Sequence, residues 1–135
     1  MRKYSFIMIG GSLGAMLRLA AKNISIGQYN GGFPINTLII NITGSFVLAL
    51  FLTLSYEVFE IDADIRLGIS TGFLGAYTTF STLCKESVIL ILNREYITAV
   101  SYLTASTVLG LAAAYLGVVL ARGAIGRLAG KGEVE

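Results

Sequence analysis

Hydrophobic and polar positions divide the chain into four long apolar runs, roughly residues 4–21, 33–56, 65–92 and 96–121. Each is close to or above the roughly 20 residues that cross about 30 Å of hydrocarbon as a helix. The connections are short, "KNISIGQYNGG", "EVFEIDADI" and "NRE", and a mixed tail over 122–135 is expected to fray. The pattern predicts an all-α, multi-pass membrane protein with four transmembrane helices in a single domain over 1–135. No signal peptide is expected, because "GGSLG" and Arg18 interrupt the first run and three more runs follow.

Polar residues inside the runs refine this picture. The second run opens at "FPIN", where Pro34 suits a first helical turn, its missing N–H having no helical partner there. Thr37, Asn41 and Ser45 then recur at every fourth residue and form one stripe down an otherwise apolar helix. The fourth run carries a similar stripe, Thr98, Tyr102 and Ser106, which ends at Gly110 and Ala114. Such stripes serve either as hydrogen-bonding glue between helices or as the wall of a path. With hydroxyl and amide donors and no acid among them, they suit a dehydrated anion better than a cation. Gly10 and Gly14, and Ala113 and Gly117, are small-xxx-small pairs read as helix contacts.

The third run is the least regular. As one unbroken helix, its roughly 28 residues would be about 42 Å long, too long for the hydrocarbon unless tilted or broken. Within "STGFLGAYTTFSTLCKESVILI", the segment "GAYTT" offers a break. Irregular backbone at that depth is tolerated only when buried in protein or lining a water-filled cavity, and unwound carbonyls there are cation ligands. A glycine kink, with threonines bonding back to their own helix, is the alternative.

Composition agrees with the pattern. The chain is 55% hydrophobic and 13% charged, with a mean hydropathy of +0.76, far from a soluble domain. Its net charge of +2 suggests no nucleic-acid partner, and the single Cys84 forms no intrachain disulfide. Placing the N-terminus, second loop and C-terminus on one side gives Arg2, Lys3, Arg66, Arg122, Arg127 and Lys131 there, against Arg18, Lys22 and Arg94 opposite. This weak bias is compatible with insertion in both orientations, and so small a four-span chain encloses little by itself, which favours an oligomer.

Three stretches carry a resemblance: "GGSLGAMLR", "NTLIINITGSF" and above all "GFLGAYTTFSTLCKE". In order and over nearly the whole chain, they resemble the Fluc, or CrcB, family of fluoride channels. The resemblance implies an antiparallel dual-topology homodimer in the cell (inner) membrane, with two fluoride pores along the subunit interface. It implies a third helix broken near mid-membrane, where the carbonyls of Gly75 and Thr78 from both subunits hold a structural sodium ion. Asn41, with Thr37 one turn before it, would lie by the ion path. Phe80 would turn a ring edge, the positive rim of an aromatic, toward fluoride. Tyr102 and Ser106 match the fourth-span polar track, and Thr82 and Glu86 match polar positions of the broken helix. Arg18 is read as structural or vestibule-lining. Leu83 stands where the family commonly has a second phenylalanine, and Gly110 and Ala114 stand where hydroxyls often extend the track.

The function so implied is passive, fluoride-selective export, for which no ATP-binding motif is needed. Two alternatives stand beside it. A small proton-coupled multidrug exporter needs a titratable acid deep in its chamber, usually in the first span, and that span has none. A noncatalytic membrane assembly subunit would explain the glycines but not the polar stripes. Glu86 is open to two readings, a proton relay or a local charge arrangement with neighbouring Lys85. An enzyme is not expected, since the chain has no histidine and no nucleophile–base pair.

Overall fold

Apolar runs in lipid must satisfy every backbone group internally, so they fold as helices. The structure, a computed structural model, describes residues 1–23, 32–59 and 61–129, with side chains to 125. Helix α1 spans Arg2–Asn23 and α2 spans Ile35–Glu57. The third run begins as α3, Ala63–Leu67, continues as a π-helical segment, Gly68–Leu74, and then as the short α4, Gly75–Tyr77. Helix α5 follows at Phe80–Leu92, and α6 runs from Tyr96 to Ala129. Among the described residues there is no strand.

Among the described residues, three helices are long and apolar enough to cross a membrane: Arg2–Asn23, Ile35–Glu57 and Tyr96–Ile125. The third run falls outside that group because it is divided, and α5 at 13 residues is only about 20 Å long. Two expected boundaries move. The third run starts earlier, at Ala63, because Asp62 caps it by accepting the Asp64 N–H at 2.9 Å. The tail expected to fray from 122 instead prolongs α6 to Ala129, since it has no proline and only isolated glycines there; residues 130–135 lie outside the described residues. Most of the "KNISIGQYNGG" loop, 24–31, is likewise outside them.

Helix α2 packs along α6, α1 along the π-helical segment, and α5 on α6. Glycines set how closely these elements approach. Gly14 faces the Phe73 carbonyl and Gly10 the Gly68 carbonyl, so the "GGSLG" stretch lies against the third run's backbone. A Cβ on Gly72 would sit 2.8 Å from the Ile7 carbonyl oxygen and 3.3 Å from the Gly11 nitrogen. On α6, a Cβ on Gly117 would sit 2.6 Å from the Phe46 carbonyl oxygen of α2. Backbone atoms cannot move aside as a flexible side chain can, which is why small residues stand at these crossings.

Polar side chains on the helices mostly bond back to their own turn, as Ser12 does to the Met8 carbonyl (2.9 Å) and Ser87 to that of Leu83 (2.8 Å). At one end of the bundle Arg2 ties α1 to the second loop, bonding Asp62 and, at 3.2 Å, Asp64. The Arg2 hydrogen bond holds the exposed Asp62 carboxyl below its usual range. At that depth of exposure such pairs add little stability; they fix where the loop lies.

The glycine crossing predicts an asymmetric response to a single methyl group. Gly72→Ala should destabilise the protein in detergent by about 1–3 kcal/mol through overpacking. Gly123→Ala, where nothing lies within 4 Å of the added atom, should be neutral or stabilising by up to about 1 kcal/mol through helix propensity. Thermal melts of the two variants check this.

Candidate functional site

Between α4 and α5 the backbone leaves the helix for two residues, Thr78 (φ −73°, ψ 157°) and Thr79 (φ −149°, ψ 112°). Extended backbone among packed helices has no ladder to join, so its polar groups need side-chain partners. Asn41 on α2 supplies both at once. Its Nδ2 donates to the Thr79 carbonyl at 3.1 Å, and its Oδ1 accepts the Thr79 N–H at 2.8 Å. Thr79 then caps α5, its Oγ1 accepting the Thr82 N–H at 3.2 Å and donating to Thr82 Oγ1 at 2.9 Å.

These bonds strip two carbonyls of their helical donors. The Gly75 carbonyl would take the Thr79 N–H, which goes to Asn41, and the Thr78 carbonyl would take the Thr82 N–H, which goes to Thr79 Oγ1. Gly75 itself is exposed, and a Cβ there would meet only the Ser70 carbonyl oxygen at 3.7 Å. Within this chain, then, nothing demands a glycine at 75. Among the described residues no cluster of three or more His, Cys, Asp or Glu could hold a metal, so a cation at this place would rely on backbone oxygens.

A second joint lies one and a half turns along α5, at Glu86. Its Oε1 accepts from Thr37 Oγ1 of α2 at 2.9 Å, and its Oε2 accepts from the Tyr102 hydroxyl of α6 at 2.8 Å. Lys22 of α1 places its Nζ 3.5 Å from Oε1. Tyr102 is fully buried at 0% exposure and Thr37 at 2%, and Phe33 meets the Tyr102 ring edge-on at 5.6 Å. One carboxylate therefore joins all four runs. The cation it faces is Lys22 and not its sequence neighbour Lys85, which is exposed.

Two grooves meet at Thr79. One, of about 380 Å³, is lined by Arg18, Lys22, Thr37, Thr79, Ser81 and Thr82 among others. The other, of about 350 Å³, is lined by Asn41, Ser45, Thr79, Phe80, Leu83 and Ser106 among others. Neither lining includes an acid. The Ser106 hydroxyl oxygen is buried without a hydrogen-bond partner among the described residues. A buried hydroxyl left unpaired costs about 1–3 kcal/mol, so it marks a place that a ligand or water would satisfy. The first N–H groups of α5, which carry the helix's partial positive charge, open at the same junction.

The residues singled out by sequence thus divide. Thr37, Tyr102 and Glu86 come together in the joint. Asn41, Thr78 and Thr82 come together around Thr79, and Ser106 lies in the adjoining groove. Arg18 lines the first groove beside Lys22. Phe80 stands 78% exposed on the surface of the single chain, whereas Leu83 is 7% exposed in a cluster with Leu90, Ala99 and Tyr102. Leu83 is thus a core residue that also shows one edge to the second groove. From sequence, Thr79 is legible as a threonine of the helix break but not as the residue that Asn41 pairs with, and Lys22 only as a loop charge. The signal for Lys22 was available: it follows Arg18 by four residues, which puts both on one helical face.

Fold and site together define a multi-pass α-helical membrane protein in which two grooves converge on a non-helical segment between its helices. Residues 5–118 match the family described as "CrcB-like protein, Camphor Resistance (CrcB)". A protein of Staphylococcus aureus (strain NCTC 8325 / PS 47), named "Fluoride-specific ion channel FluC 1", is 42% identical over 121 residues, covering 90% of this chain and 98% of its own. One of Sulfurihydrogenibium sp. (strain YO3AOP1), "Fluoride-specific ion channel FluC", is 36% identical over 122 residues, covering 90% and 98%. Another of that name from Hydrogenobaculum sp. (strain Y04AAS1) is 38% identical over 107 residues, covering 79% and 87%. The chain belongs to the CrcB family.

The Asn41 pairing predicts a large effect from a near-isosteric change. Asn41→Leu strands the N–H and the carbonyl of Thr79, at about 1–3 kcal/mol for each buried group left unsatisfied. The variant should melt well below the parent in detergent, and amide exchange at Thr79 should accelerate while that of α2 does not.

Proposed function

We propose that the protein is a passive, fluoride-selective anion channel that lets the ion leave the cytoplasm, with two pores per dimer. The observation that carries this reading is the pair of grooves at Thr79: they offer hydroxyl, amide and helix N-terminal donors, two cations and no acid. The names of the relatives point to the same ion. Hydrogen fluoride is a weak acid that crosses lipid as the neutral molecule and ionises inside, so the anion accumulates when the outside is more acidic. An inside-negative potential then drives it out through a passive path, with no bound nucleotide. Narrow, dehydrated lining by N–H, O–H and polarised C–H donors, with Phe80 presenting a ring edge, favours fluoride over chloride.

On this reading the chain pairs with a second copy in antiparallel, dual-topology fashion, and the interruption at Thr78 and Thr79 lies near mid-membrane. The exposed Phe80 ring and the exposed, sterically free Gly75 support a partner on that face, since neither is accounted for within one chain. A structural sodium ion fits the donor set there: Gly75 and Thr78 carbonyls, two from each subunit, without helical donors. A proton-coupled exporter is the less suited reading. Helix α1 carries no acid, and Glu86 is already held by two hydroxyls and an ammonium.

Purified protein in liposomes loaded with fluoride, followed with a fluoride electrode, tests the function. Efflux well above that of protein-free liposomes is expected, with chloride efflux at the protein-free level, and Phe80→Ile should reduce fluoride efflux by about tenfold or more, of the order that one lost charge-stabilising group costs. Fluoride efflux at background would refute the channel, and equal chloride efflux would refute selectivity.

Assembly has its own test. Gly75→Val should leave the chain folded and inserted, because within one chain an added Cβ meets only the Ser70 carbonyl oxygen at an ordinary contact distance of 3.7 Å, yet abolish the dimer on size-exclusion chromatography. A stable Gly75→Val dimer with full efflux would show that no close backbone partner covers this face.

A further inference from the structure

Glu86 is an acid behind the wall of an acid-free groove, and its surroundings decide what an anion there would meet. The groove on the α1 side is walled by Arg18 and Lys22 of α1 and by Thr37 of α2. Both Lys22 and Thr37 reach Glu86 Oε1, at 3.5 and 2.9 Å, so the carboxylate stands directly behind that wall. Tyr102 of α6 occupies the other oxygen. On Glu86's own helix, Lys85 points about 100° away, as successive helical residues do, and makes no ion pair among the described residues. Arg18 also makes none among them. Lys22 is therefore the one cation facing Glu86 from the described elements packed on it.

We propose that Lys22 is a positioning residue of the fluoride path: its ammonium cancels the Glu86 carboxylate at the groove wall, so that an entering anion meets the net charge of Arg18. The inference rests on the fluoride-channel reading above. It assigns Lys22 a role in conduction because of where the pair lies. An uncompensated carboxylate behind Thr37 would repel fluoride across the groove, and a cleft lined by one sign of charge raises or lowers local ion concentration accordingly. Thr37 and Tyr102 each bond one Glu86 oxygen, so the same carboxylate is held by two hydroxyls as well as by the ammonium.

Fluoride current through reconstituted protein under voltage clamp is the measurement, because neutral hydrogen fluoride carries none. Lys22→Met should lower the current about tenfold at low ionic strength, the lower end of charge-focusing effects in clefts. The deficit should shrink when an impermeant salt screens the stranded charge. Lys22→Arg should keep most of the current. The double variant Lys22→Met with Glu86→Gln should regain current over Lys22→Met, since no charge is left uncompensated. A merely structural tie predicts the reverse, because the second change loosens the joint further. The proposal is overturned if Lys22→Met conducts like the parent, or if its deficit is unchanged by salt and by Glu86→Gln. A parent protein without fluoride current would overturn the channel reading and this proposal together, an outcome distinct from a conducting parent with an indifferent Lys22. Should Lys22→Met not purify as a single species, Lys22→Gln carries the same expectations.

Discussion

Asn41 makes the rest of the site affordable in free energy. Two consecutive residues in extended conformation, packed among membrane helices, leave polar backbone groups that lipid cannot satisfy, each costing several kcal/mol. A single carboxamide returns both a donor and an acceptor to Thr79, at 3.1 and 2.8 Å. No hydroxyl could do so, since one oxygen cannot reach both backbone groups with the same geometry. Once Thr79 is pinned, the Thr79 side chain is free to cap α5, and the carbonyls of Gly75 and Thr78 lose their helical donors. The groove junction, the open end of α5 and the candidate cation ligands all descend from that pairing. Its own precision comes from elsewhere: α2 is held along α6 by backbone approach at Gly117.

Glu86 is a different kind of constraint. A carboxylate in a membrane segment is costly unless paired, and here each of its oxygens receives a hydroxyl while an ammonium stands beside one of them. Because Glu86 and its three partners come from four different runs, shifting any run disturbs the pairing of the others. The joint therefore fixes the relative depth of the helices, while the glycine crossings fix their separation. Removing one partner leaves the remainder desolvated and unpaired, so effects at this joint should be strongly non-additive.

The sequence disclosed the parts of this structure that depend on local pattern. Four apolar runs give four spans' worth of helix. A stripe at every fourth residue puts Thr37, Asn41 and Ser45 on one face, and "GAYTT" marks where the helix stops. What it could not disclose depends on three-dimensional approach. Lys85 is Glu86's neighbour in sequence and Lys22 is 64 positions away, yet helical geometry turns the first aside and loop closure brings the second in. The resemblance sets Leu83 by the ion path, and only the packing shows that it sits in the core beside Tyr102 while turning one edge to the second groove. The π-helical Gly68–Leu74, which packs closely on α1, has no composition signature. The α6 extension to Ala129 is not legible either, because the glycines and charges over 122–135 suggest a frayed tail, whereas isolated glycines cost a helix only about 1 kcal/mol each.

The most direct test of this account is the backbone conformation of Thr78 and Thr79 in a lipid bilayer, read from ¹³C and ¹⁵N chemical shifts by solid-state NMR. The account predicts extended-region shifts at both residues, flanked by helical shifts at Tyr77 and Phe80, with the Asn41 carboxamide coupled to Thr79. Helical shifts running without interruption from Gly75 through Thr82 would contradict it.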